Sequence, residues 1–192
     1  IDPGDEVIVL EPFYDSYVPA VQMAGGVPRF VPLHPPGSGE TGWRLDLDEL
    51  NAAFNHRTRA ILVNTPHNPT GKAFTSEELK AIAILCVAWD VVAITDEVYE
   101  HLVYPPHRHI PIATLTGMRE LTITVSSFSK TLSMTGWKVG YAMAPPELTA
   151  AVRSSHQFLT FCSIAPLQSA LARTLDLLPD YLQQVASEYL AR

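Results

Sequence analysis

The sequence predicts an α/β protein, a three-layer αβα sandwich around a mostly parallel sheet. Three observations predict it. Short apolar runs alternate with segments of helical periodicity along the chain, the pattern left by parallel strands joined through crossover helices. The runs Val7-Ile8-Val9-Leu10, Ala60-Ile61-Leu62-Val63 and Val91-Val92-Ala93-Ile94 lack polar alternation, as strands buried on both faces do. Four runs pass directly into polar or aromatic clusters: Glu11 to Tyr14, Asn64 to Gly71, Asp96 to Tyr99 and Ser126 to Lys130. Ligands of open α/β sheets bind beyond the carboxyl ends of the strands, so these clusters are expected to converge on one cleft.

Each element has its own signal. Glu6 to Leu10 reads as a strand broken by Glu11-Pro12, and Asp15 to Met23 as a helix ended by Gly25-Gly26. Val27 to Leu33 is extended but interrupted by Pro28 and Pro32, which places it near a sheet edge. A Pro/Gly loop from His34 to Gly42 leads to helical spacing over Asp46 to Phe54. Arg59 to Val63 is a strand stopped by Asn64-Thr65-Pro66-His67-Asn68-Pro69-Thr70-Gly71. Thr75-Ser76-Glu77-Glu78 is a capping box opening an amphipathic helix through Trp89. Val91 to Ile94 is the next strand, followed by Thr122 to Val125 and then Val139 to Met143. The last of these has no polar tail, which fits an antiparallel strand. Helices over Glu147 to Phe161 and beyond Pro166 close the chain, and there is no internal repeat.

With 192 residues, 47% hydrophobic and 17% charged, the chain is long enough for a real core. A net charge of −7 argues against nucleic-acid and anionic-membrane partners. No apolar run approaches the ~20 residues that span a bilayer. Cys86 and Cys162 both sit in apolar helical patterns and are expected as buried thiols of a reducing compartment. The chain opens on a turn at Ile1 to Asp5 and stops within a helical pattern after Tyr181, so it reads as the middle of a longer protein.

The chemistry centres on Ser126-Ser127-Phe128-Ser129-Lys130 and its continuation to Lys138. A lysine just past a strand end, partly buried among hydroxyls, has neutral amine available for a Schiff base to a carbonyl cofactor. The hydroxyls and the second lysine suit a phosphate. The same residues equally fit a solvated Ser/Lys loop. Asp96 follows four apolar residues, so its carboxylate needs a cation or hydrogen-bond donors. A protonated pyridine nitrogen would supply the first, and a helix N-cap would use the second. Tyr99, on the same helical face if a helix starts there, suits a phenolic oxygen or the core. Asn68 is held between Pro66-His67 and Pro69, which fixes where its amide points, though turns use Asn-Pro freely. Asn64 offers ligand or loop contacts, and Tyr14 suits stacking on a planar ring or core packing. His67, His101, His107 and His109 show no metal-ligand spacing, so no metal is expected.

The joint order of Gly4-Asp5-Glu6-Val7-Ile8, Glu11-Pro12-Phe13-Tyr14-Asp15, Asn64 to Lys72, Thr95-Asp96-Glu97-Val98-Tyr99 and Ser127 to Gly140 resembles the class I/II aminotransferases, fold-type-I pyridoxal-phosphate enzymes. The likeness is nearest to the branch of kynurenine aminotransferase, glutamine transaminase K and cysteine-conjugate β-lyase. It implies that residues 1–192 are the pyridoxal-phosphate-binding large domain, without its N-terminal part and the C-terminal small domain. By this resemblance, Lys130 is the Schiff-base lysine and general base, and Asp96 the partner of the pyridinium nitrogen. Asn68 and Tyr99 bind the ring phenolic oxygen, Tyr14 stacks on the ring, Ser127 and Lys138 hold the phosphate, and Asn64, with Asn68, lies near the substrate carboxylate. Lys138 departs from the arginine common in the wider family, and His67 from an asparagine. The family's phosphate loop, carboxylate-binding arginine and cross-dimer aromatic have no counterpart here, so the isolated segment is expected to be inactive. The implied function is amino transfer between an aromatic or sulfur-containing amino acid and a 2-oxo acid by a cytoplasmic homodimer. N-succinyldiaminopimelate aminotransferase is the alternative, and so is an inactive remnant that serves only for dimerisation or binding.

Overall fold

Side chains alternate across a strand, and the first strand uses both faces. In the computed structural model, which describes residues 1–39 and 42–192, β1 (Glu6–Glu11) turns Ile8 and Leu10 into one apolar cluster and Val7 and Val9 into another. The first cluster adds Leu50 from α2 (Leu47–Ala53) and Leu79, Ile82 and Cys86 from α3 (Ser76–Trp89). The second adds Val21 from α1 (Tyr17–Met23). The sheet is therefore covered on both faces, and burying a side chain such as Ile8 contributes about 1.5–3 kcal/mol.

Among the described residues, the sheet has seven strands in the order β3-β2-β1-β4-β5-β6-β7. The remaining strands are β2 (Val27–His34), β3 (Arg44–Leu45), β4 (Thr58–Asn64), β5 (Val92–Asp96), β6 (Thr122–Ser127) and β7 (Gly140–Met143). Pairings from β2 through β6 are parallel, while β3 and β7 run antiparallel at the two edges. The antiparallel direction expected of the last strand is thus found. Strand order reverses between β1 and β4, and the parallel strands β1, β4, β5 and β6 end on the same side. The other helices are α4 (Phe128–Thr131), α5 (Pro146–Leu159), α6 (Ala165–Ala172) and α7 (Leu178–Leu190).

Local chemistry explains the boundaries. In α3 the capping box is complete: Glu78 N donates to Thr75 Oγ1 at 3.2 Å and Thr75 N to Glu78 Oε2 at 2.8 Å. Asp46 caps α2 by accepting from Asp48 N and Glu49 N. The prolines of β2 are tolerated because β3 pairs only with Leu33 and His34, leaving the rest of β2 without a ladder on that side.

Two expectations need correction, and one strand escaped the sequence reading. The two-residue β3 was not legible; it forms because Leu45 N donates to Glu78 Oε1 at 3.1 Å, a contact across 33 positions. Helix α1 starts at Tyr17, with Asp15 and Ser16 in the preceding turn. Cys162 is exposed and lies between helices, because α5 ends at Leu159, whereas Cys86 is buried as expected. The predicted loop over 34–42 includes Glu40 and Thr41, which lie outside the described residues.

Candidate active site

Tyr14, Asn64, Asn68, Asp96, Tyr99, Ser127, Lys130 and Lys138 all line a single cavity of about 320 Å³. It lies beyond the carboxyl ends of β1, β4, β5 and β6, where the change of strand order opens a crevice. A larger groove of about 720 Å³ adjoins it and shares Asn68 and Tyr99.

Asp96 is the last residue of β5, and its two oxygens are divided. Oδ1 accepts from Val98 N at 3.2 Å, the capping bond foreseen, but Glu97 to Tyr99 form a turn rather than a helix. The turn closes because Glu97 N continues the ladder to Val125 O at 2.8 Å. Oδ2 accepts from the Tyr17 hydroxyl at 2.6 Å. Burial and the Asp96 charge push the Tyr17 phenol well above its ordinary range, so it stays a donor. Burial and Asp96 also push the Tyr99 phenol up, which keeps a second donor in the cavity. Tyr17 was missed in the sequence; its only signal was an aromatic three residues after Tyr14, one turn along the chain. The two rings meet edge to face at 5.6 Å, and Tyr14, 46% exposed, presents a face to the cavity instead of joining the core.

Asn64 ends β4 and ties three segments together. Its Nδ2 donates to Asp96 O at 2.9 Å, and its Oδ1 accepts from Asn68 N at 2.6 Å. The loop bearing Asn68 is closed by Gly71 N donating to His67 O and His67 N to Lys72 O, both 2.8 Å. Gly71 has a φ of +72°, which glycine adopts without strain. Beneath the loop, His67 is buried, bonds Thr70 Oγ1 at 2.8 Å, and is held down to about 4 by desolvation and then by Lys72. Lys72 pairs with Glu78 at 2.8 Å and donates to Trp43 O at 2.7 Å.

Ser127 caps α4, accepting from Ser129 N at 3.1 Å and donating to Val139 O at 3.2 Å. Lys130 follows on α4 and is exposed, correcting the expected partial burial; the short helix carries it to the open rim of the cavity. Lys138 is also exposed and holds a left-handed backbone at φ 53°, uncommon for a residue with a Cβ and concentrated at functional sites. Thr135, another cavity residue not singled out in the sequence, adds a hydroxyl between the two lysines.

The cavity therefore offers one carboxylate, two amines, several hydroxyls, phenols and two amides. This suits a flat aromatic bearing a ring cation at one end and an anionic group at the other. The match to a family model describes that chemistry: "Aminotransferase class I and II", over residues 1–189. The chain belongs to the class I and II aminotransferases.

Among its relatives in this family is the probable N-succinyldiaminopimelate aminotransferase DapC of Mycobacterium tuberculosis (strain H37Rv), 51% identical over 92% of this chain and 44% of the relative. Kynurenine–oxoglutarate transaminase 3 of Mus musculus is 50% identical over 90% of this chain and 39% of the relative. The solved structure of N-succinyldiaminopimelate aminotransferase from Mycobacterium tuberculosis superposes with a TM-score of 0.95 at 48% identity, covering all of this chain and 49% of the other. The chain thus spans less than half the length of these relatives. Class I and II aminotransferases are pyridoxal-phosphate enzymes that act on amino acids and 2-oxo acids. Among the described residues, no helix is long and apolar enough to cross a membrane.

Proposed function

We propose that the protein carrying this chain is a pyridoxal-phosphate-dependent aminotransferase, with this chain as its cofactor-binding large domain. The observation that carries the reading is the single cavity shared by Asp96, Tyr99, Asn68, Ser127, Lys130 and Lys138. The bound cofactor would supply an aldehyde carbon to receive the amino group and a pyridinium ring to draw electrons from the substrate α-carbon.

The chain's residues have separable tasks. Asp96, oriented by Tyr17 and Val98 N, would accept the ring N–H and hold that proton in place. Tyr99, kept protonated, and Asn68, set by Asn64, donate to the phenolic oxygen. Tyr14 offers a ring face for stacking. The Lys130 amine would hold the cofactor at its aldehyde carbon and would be the base placed to move a proton at the substrate α-carbon. Lys138 would meet the phosphate as a point charge without the bidentate fork of arginine, and Ser127 would do so by turning its hydroxyl away from Val139 O. Asn64, whose Nδ2 carries a second hydrogen besides the one donated to Asp96 O, would stand near the substrate carboxylate together with Asn68.

Aromatic or sulfur-containing amino acids are the proposed donors, in keeping with the kynurenine transaminase relatives. N-succinyldiaminopimelate is the second reading, favoured by the 51% identity to the mycobacterial DapC. A cytoplasmic homodimer is the proposed assembly, and the exposed Phe158, Leu159 and Phe161 are apolar surface of the kind that interfaces cover. The test is uptake of pyridoxal phosphate, followed by borohydride reduction and peptide mapping. A reduced adduct on Lys130 is expected, absent from Lys130→Ala; a protein that takes up no cofactor would overturn the reading.

A further inference from the structure

On the sheet face opposite Asp96 lies a buried polar network that the proposed chemistry does not use. Asp96 and Glu97 are consecutive at the end of β5, and Glu97 N still bonds Val125 O, so their side chains leave on opposite faces. Glu97 is 1% exposed. Its Oε1 accepts from Thr95 Oγ1 at 2.8 Å, and its Oε2 lies 2.6 Å from His109 Nε2. Among the described residues, His109 Nδ1 is buried without a partner and the ring's hydrogen bond goes to Glu97. Thr95 Oγ1 also meets Thr124 Oγ1 at 3.3 Å. Next to this pair, Glu100 Oε1 accepts from Ser126 Oγ at 3.1 Å and Tyr141 OH at 3.2 Å.

We propose that the Glu97–His109 pair is a positioning element of the cofactor cavity, acting through the backbone from beneath the sheet. The proposal rests on the reading that this cavity holds pyridoxal phosphate. Thr95, Thr124, Ser126 and Tyr141 lie on β5, β6 and β7, beside Asp96, Val125 and Ser127 on the same strands. Glu97 and Glu100 bracket Tyr99, and His109 anchors the far end of the segment that leaves it. A buried carboxylate must keep its donors, so the Glu97 peptide has one permitted placement. That placement sets its neighbours Asp96 and Tyr99, whose geometry must hold within a few tenths of an ångström. Possible ligand atoms of Glu97, Glu100 and His109 do lie within 4.8 Å of one another. Protein donors already reach both Glu97 oxygens and Glu100 Oε1, however, so the hydrogen bonds account for the cluster without a metal.

The test compares His109→Leu with His109→Gln in the protein carrying this chain. Three quantities are read: the dissociation constant of pyridoxal phosphate, the visible absorbance of the bound cofactor against pH, and the melting temperature of the cofactor-free form. In His109→Leu the dissociation constant is expected to rise about 10-fold or more, with a displaced absorbance–pH midpoint. His109→Gln, whose amide can donate to Glu97, is expected to recover most of the affinity. Wild-type affinity in the leucine variant, equal impairment of both variants, or cofactor loss that only tracks the melting temperature would each overturn the proposal. Should the leucine variant not fold, Glu97→Gln/His109→Leu leaves no buried charge. Weakened cofactor binding by that folded pair supports the proposal, and wild-type binding overturns it. Wild-type protein that takes up no cofactor sinks the function reading itself, an outcome separate from all of these.

Discussion

At the scale of single residues, the site depends on which atoms are already committed. Asp96 presents a carboxylate whose Oδ2 is held by Tyr17 at 2.6 Å, a bond to a charged group of the kind that contributes about 1.5–3 kcal/mol. Tyr17→Phe keeps the ring and loses the bond, so the cofactor dissociation constant is expected to rise about 10-fold with folding unchanged; a fluorescence titration giving the wild-type constant would remove Tyr17 from this role. Asp96→Ala is expected to release cofactor readily and to lower turnover by about 100-fold or more, and steady-state rates near wild type would contradict its assignment. His67 makes a pH prediction. Its value falls from 6.5 to about 4 on folding, so between those limits the unfolded chain binds more protons. The stabilisation is full above pH 6.5 and is lost as pH drops toward 4, at most about 3 kcal/mol. His67→Asn, whose amide nitrogen can replace Nδ1 toward Thr70, should flatten that part of a stability–pH curve measured by urea unfolding.

At the scale of elements, strand ends carry the proposed site and their packing is tight. The Ser127 and Gly140 positions face each other where β6 meets β7. A Cβ on Gly140 would stand 2.8 Å from Ser126 O and 3.5 Å from Ser127 Cβ, too close to a backbone atom to be absorbed by a side-chain shift. Gly140→Ala should therefore displace β7 from β6, cost about 1–3 kcal/mol, and loosen the end of β6 that leads to Lys130. Thermal unfolding together with cofactor affinity reads both effects, and no change in either would show that β7 yields freely. Elsewhere the elements were legible from their punctuation, as with Thr75 and Glu78 at the start of α3 or Asp46 before α2. The turn at Glu97 to Tyr99 was not, because Asp followed by Glu, Val and Tyr suits a helix start until the ladder bond to Val125 claims Glu97 N.

At the scale of the whole molecule, folding and binding are linked. If the cavity takes pyridoxal phosphate, free cofactor at 100 times its dissociation constant should stabilise the protein by about 2.7 kcal/mol, read as a rise in melting temperature that Lys138→Ala diminishes. Acid should act through Glu6 as well. Asn55, Arg57 and Arg29 surround its carboxylate, and the Asn55 bond foremost holds it below 4.5. That stabilisation is present above pH 4.5 and disappears as pH falls further. Substrate choice also belongs to this scale: a panel of aromatic, sulfur-containing and succinylated amino donors separates the two proposed activities.

The sequence by itself determined the order of the strands other than β3 and of the longer helices, the four polar strand ends and the family, because apolar periodicity, capping residues and motif order are written locally along the chain. Only the tertiary structure decided that Tyr17 reaches Asp96 across 79 positions and that His109 reaches Glu97 across 12. It also decided that Leu45 forms a strand because of Glu78 and that Lys130 stands at an open rim. Those outcomes rest on hydrogen bonds and burial between segments that meet only when the sheet has formed, and no local pattern of residue types encodes which distant donor a carboxylate will find.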